Sequence, residues 1–151
     1  MKDLKKENII ATAQNLLNSK LIELEKAIFN VQNAANEESK SSMGDKYETG
    51  RAMAQNDRAM LENQKNELLK DITTFENINF GQETEFVKNG SLVQTSIGYI
   101  LVSVSLGKIV EGGINVMLIS SASPLGAELL GKKAKDSITM NGRQIQILGI
   151  Y

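Results

Sequence analysis

The sequence predicts an α+β protein, with an N-terminal antiparallel α-helical coiled-coil hairpin followed by a small antiparallel β domain carrying one short helix. Three observations predict it. Of 17 Lys and Arg and 18 Asp and Glu, 11 and 13 fall at or before Glu76, so most of the charge lies in the first half. Glycine and β-branched residues concentrate in the second half, the composition of short strands and turns. Asn141-Gly142, between two apolar runs, is a strong β-hairpin signal. The expected organisation is a hairpin over 1–76 with an acidic tip near 37–48, a linker over 77–90, and a β domain over 91–151.

In the first half, Ile10, Ala13, Leu17, Leu24, Ile28, Val31 and Ala35 recur at steps of three and four, with Leu21 bridging one gap. Such spacing lays an apolar seam along one helix face. In the second stretch Ala54, Leu61, Leu68 and Phe75 stand seven apart. Asp57 and Gln64 occupy the intervening seam positions in this reading. Neither stretch contains proline, and Ser39, Ser41, Ser42 and Gly44 between them favour a turn. An antiparallel hairpin therefore follows, with arms of about 34 residues that would project on the order of 50 Å.

Beyond the linker, strands are expected at Leu92 to Gln94, Tyr99 to Ser105, Val116 to Ser120, Ile138 to Met140 and Gln144 to Ile150. Between the third and fourth, Ser123-Pro124 opens a short helix that Gly131 ends: serine caps, proline takes the first helical position, glycine terminates. Leu125, Leu129 and Leu130 are expected to cover the sheet's inner face, which includes Ile100, Val102, Val104, Ile145 and Ile147.

The composition excludes several chemistries. Cysteine, histidine and tryptophan are absent, which removes thiolate and imidazole nucleophiles, thiolate metal sites and disulfides. A near-neutral formal charge does not indicate wholesale phosphate neutralisation. The first ten residues are charged rather than secretory, and no apolar run approaches the roughly 20 residues of a membrane span, so the expected location is the cytoplasm.

Asp45 and Glu48 stand three apart at the far end of the hairpin. Two carboxylates on an exposed arm could share a hard metal ion with a site on another molecule. The same spacing is that of a capping box, and both readings stand on the residues alone. Arg51 and Arg58 follow on the second helix, where they could meet RNA phosphate or simply be solvated.

Gly44-Asp45 with Glu48 at a hairpin tip, and Ser123-Pro124-Leu125-Gly126 running to Leu130-Gly131-Lys132, together resemble the bacterial Gre-type transcript-cleavage factors, the GreA/GreB family, over nearly the full chain. The resemblance implies that the β domain is FKBP-like and docks at the rim of the secondary channel of RNA polymerase, with Ser123 and Pro124 in the docking surface. It implies that the coiled coil enters the channel and that Asp45 and Glu48 support a second Mg2+ in the polymerase active site. Water then attacks the displaced nascent RNA of a backtracked complex. The protein would be no enzyme on its own and would bind no cofactor alone. After Glu48 the chain reads Thr49-Gly50-Arg51-Ala52-Met53, where family members carry asparagine, alanine and further acidic and aromatic residues, which leaves open a secondary-channel regulator without cleavage activity.

Two other classes compete. A prolyl isomerase would surround its substrate with aromatics, and the β domain offers only Phe86, Tyr99 and Tyr151. A non-catalytic coiled-coil adaptor would act independently of the tip.

Overall fold

The computed structural model describes residues 5–41 and 45–151, with side chains described for 5–34 and 49–151. The elements are α1 (Lys6–Ser41), α2 (Asp45–Asn77), β1 (Leu92–Thr95), β2 (Gly98–Ser103), β3 (Gly107–Glu111), β4 (Ile114–Ser120), α3 (Pro124–Leu129), β5 (Ser137–Met140) and β6 (Arg143–Ile150). The protein is α+β: two long packed helices form a hairpin, followed by a mixed six-stranded sheet with one short helix. Two compact units result, one of Leu16–Ile72 and one of Met1–Asn15 with Thr73–Tyr151.

Within the helical unit, the seam of α1 follows its apolar period. Leu17 is buried, and Leu21, Leu24, Ile28 and Val31 are half-buried. On α2 the seven-residue row is also the inward one, with Leu68 buried and Ala54 and Leu61 half-buried. Asp57 and Gln64 are exposed and take no part in it. The intervening positions are instead Lys65 and Ile72, both half-buried. The step from Leu61 is four residues rather than three, and lysine joins a seam by burying its methylene stem while its ammonium stays wet.

The β-bearing unit corrects the expectation of a purely antiparallel sheet. Strand order is β3-β4-β2-β1-β6-β5, and β2 pairs with β4 in parallel, Tyr99 opposite Val116 through Ser103 opposite Ser120. All other pairs are antiparallel. The parallel pair arises because β3, a strand the sequence reading omitted, runs out to the sheet edge and returns through Gly112-Gly113 as β4. Both glycines have positive φ (59° and 76°), as do Asn141 (53°) and Gly142 (77°) in the β5–β6 turn. Two-residue hairpins with positive φ at both positions match the twist of the strands they join.

Partners across a ladder share a face. Val93, Ile100, Val102, Ile119, Ile138, Ile145 and Ile147 form one core with Val87 and Leu129, against which Leu125 packs. Leu130, expected in this layer, is 39% exposed, because it is the C-cap residue and lies past the last inward turn of α3. Leu92, Leu101, Ile109, Val116 and Leu118 are buried on the opposite face. Glu111 of β3 shares that second face and accepts a 2.6 Å hydrogen bond from the Thr12 hydroxyl, which brings the first turns of α1, with buried Ile9 and Ala13, onto it. Burial on both faces explains the near-continuous apolar runs of β2 and β4.

Residues 77–90, the expected linker, also build this unit. The Val87 amide donates to Lys132 O and the Gly131 amide to Val87 O, both at 2.8 Å. Lys6 donates to Phe80 O (2.6 Å) and Tyr151 O (3.0 Å). Desolvation, with Lys88 nearby, lowers its pKa.

Candidate functional site

The hairpin tip is where α1 ends at Ser41 and α2 begins at Asp45. Asp45 is the first residue of α2 and Glu48 follows three on, positions that neighbour one another on a helix surface. The first turn of a helix favours carboxylates through the macrodipole. The side chains of Asp45 and Glu48, and the tip residues between 35 and 48 generally, lie outside the described residues. Two carboxylates are hard oxygen donors of the type Mg2+ takes, yet far fewer than its octahedral shell requires, so other ligands must come from elsewhere. Among the described residues no group of three Asp or Glu is placed to hold a metal ion.

Arg51 and Arg58 are exposed on α2. Arg58 lies 3.8 Å from Glu62 one turn on, an open contact that fixes its guanidinium weakly. At seven residues apart the two arginines share one stripe of α2, which begins just past the tip.

Ser123 and Pro124 belong to the other unit. The Ser123 hydroxyl accepts from the Gly126 amide (3.1 Å) and donates to Ser120 O (2.6 Å), so it is committed to capping α3. Pro124 occupies the first helical position and is exposed. Gly126 is required by packing: a Cβ there would lie 2.1 Å from Ser120 O and 3.0 Å from Ser121 Cα. The Ser-Pro-Leu-Gly run is therefore a cap, a helix start and a close approach of α3 to the end of β4. What it leaves available to a partner is the exposed ring of Pro124.

Lys132, Lys133 and Lys135 do not act alike. The Lys133 ammonium sits 4.9 Å from the centroid of the Phe86 ring, an exposed cation–π contact at the Phe86–Lys133 bridge. Lys135 adopts a left-handed backbone (φ 79°) and its amide donates to Ile147 O.

Two exposed apolar stripes lie on the hairpin and were not singled out in the sequence. Ile22 and Phe29 stand on α1, and Met53 and Met60 on α2; each pair is seven apart and more than half exposed. The signal was present in that spacing, but it runs beside the seam period and is masked by it.

The class defined by these features is an α+β protein with an N-terminal helical hairpin and a C-terminal β domain, in which no helix among the described residues is long and apolar enough to cross a membrane. Compared with known proteins, no family model and no curated protein matches the chain.

Proposed function

We propose that this chain is a Gre-type bacterial transcription elongation factor, which binds RNA polymerase through its secondary channel and stimulates cleavage of backtracked nascent RNA. The observation that carries the reading is the placement of Gly44-Asp45 and Glu48 at the junction of helices of 36 and 33 residues, on a chain that ends in a β unit with a Ser-Pro-capped helix. Phosphodiester hydrolysis builds charge on the attacking and leaving oxygens, and a second Mg2+ in the polymerase site would stabilise both. Asp45 and Glu48 would help retain that ion. Arg51 and Arg58 would face RNA phosphate, and Pro124 with the Ser123 turn would meet the polymerase rim. The protein is then no nuclease itself and acts in the cytoplasm.

The departure at Thr49 to Met53 supports a second reading, a secondary-channel regulator without cleavage activity. One experiment separates them. Asp45→Asn with Glu48→Gln is expected to abolish stimulated cleavage in stalled complexes while polymerase co-purification stays near wild type. Cleavage that persists in the double variant rules out the tip mechanism. Binding by the wild type without any cleavage selects the second reading, and no binding at all removes both and leaves the coiled-coil adaptor.

A further inference from the structure

On the outer side of α1, Ile22 and Phe29 are 55% and 64% exposed and flank an open groove of about 320 Å³ lined also by Glu25, Lys26 and Asn30. Ile22, Glu25, Lys26 and Phe29 are spaced three, one and three apart, which puts them on a single helix face. Glu25 and Lys26 make no ion pair among the described residues, and as immediate neighbours on a helix they do not face each other.

The order of these residues is self-complementary. When an identical helix is laid antiparallel so that position 25 of one meets position 26 of the other, Ile22 falls opposite Phe29 of the other copy. Glu25 falls opposite Lys26, and the symmetry makes every contact twice. The same alignment places Asn18 opposite Asn33 and Ser19 opposite Gln32, all exposed and uncharged, so no like charges meet along this face. One register thus satisfies the apolar pair, the ion pair and the polar flanks together.

We propose that this face receives a second copy of the chain, docked antiparallel about a two-fold axis between residues 25 and 26. Two-fold interfaces are built from one self-complementary patch, and a face that repeats every seven residues favours the shallow crossing of helix bundles. Phe29 of each copy fills the groove beside Ile22 of the other, and two Glu25–Lys26 pairs close across the axis. The contact spans only about 22 Å of helix at 1.5 Å per residue, so association is weak and concentration-dependent. It requires no polymerase, and it occupies a face of the arm that lies clear of the α1–α2 seam.

Sedimentation velocity and light scattering of the full chain over a wide concentration range test it. The expected result is a rise from one chain mass toward two. Phe29→Ser abolishes the rise, with helicity by circular dichroism as the control for folding. Glu25→Lys and Lys26→Glu, taken singly, place like charges across the axis twice and raise the dissociation constant by about tenfold or more. The double variant Glu25→Lys with Lys26→Glu restores the opposition and returns the affinity toward wild type. A chain that stays monomeric at all concentrations overturns the proposal, as does a dimer indifferent to the single charge reversals or one that the double variant fails to recover. If the wild type is monomeric and Phe29→Ser weakens polymerase binding, the face belongs to polymerase and the two-fold contact is wrong. These measurements stand apart from cleavage, so failure here leaves the proposed function untouched.

Discussion

Gly126→Ala tests whether the Ser123-Pro124-Leu125-Gly126 run is first of all a piece of packing. The added Cβ would sit 2.1 Å from Ser120 O, against about 3.4 Å for an ordinary close contact, so α3 or the end of β4 must move by about 1.3 Å. Both sides of that contact are backbone, which leaves no flexible side chain to yield. Overpacking of this kind costs about 1–3 kcal/mol. The movement also strains the Ser123 cap bond to the Gly126 amide and the bond from Leu130 N to Gly126 O. A total loss of about 3 kcal/mol is expected, large against the roughly 5–15 kcal/mol of a typical domain. Ser123→Ala removes the cap alone and should cost about 0.5–2 kcal/mol. Tyrosine fluorescence during urea unfolding reads this well, because the chain lacks tryptophan and Tyr99 and Tyr151 both lie in the β-bearing unit. A Tyr47→Phe background removes the only other tyrosine. If Gly126→Ala unfolds within about 0.5 kcal/mol of its parent, the close approach does not constrain α3 and the packing account of this run is wrong.

Two further outcomes follow from the helical unit. Lys65→Leu should raise the thermal midpoint of the hairpin, worth about 1 kcal/mol from added apolar burial, whereas Gln64→Leu should leave it unchanged; the opposite order would place Gln64 in the seam. Burial, then the nearby Glu67, raises the pKa of Asp71. An acid whose folded pKa is raised binds more protons folded than unfolded, so its contribution to stability falls as pH rises from the unfolded value toward the folded one. Asp71→Asn should therefore gain stability over the parent at pH 7 and lose that advantage in acid, and urea midpoints at both pH values check it.

Legibility tracked the range of the interaction. The β5–β6 turn was readable because Asn141-Gly142 carries its own dihedral preference, and the start of α3 because Ser123 and Pro124 act within one helical turn. Gly112-Gly113 carried the same kind of signal, and overlooking it hid β3. The tip resisted for another reason. Two carboxylates three apart describe a cap and a shared metal site equally well, and the remaining ligands of such a site would belong to a partner.

By itself the sequence determined that a charged helical pair precedes a compact strand-rich unit, since periodicity and composition are local properties of the chain. Tertiary structure alone decided that β2 and β4 run parallel, that the α2 seam uses Lys65 and Ile72, and that Thr12 meets Glu111. Each of those depends on which distant surfaces remain to be buried once the local elements have formed. Strand order and helix register are settled by that competition, and it leaves no mark on any single stretch of residues.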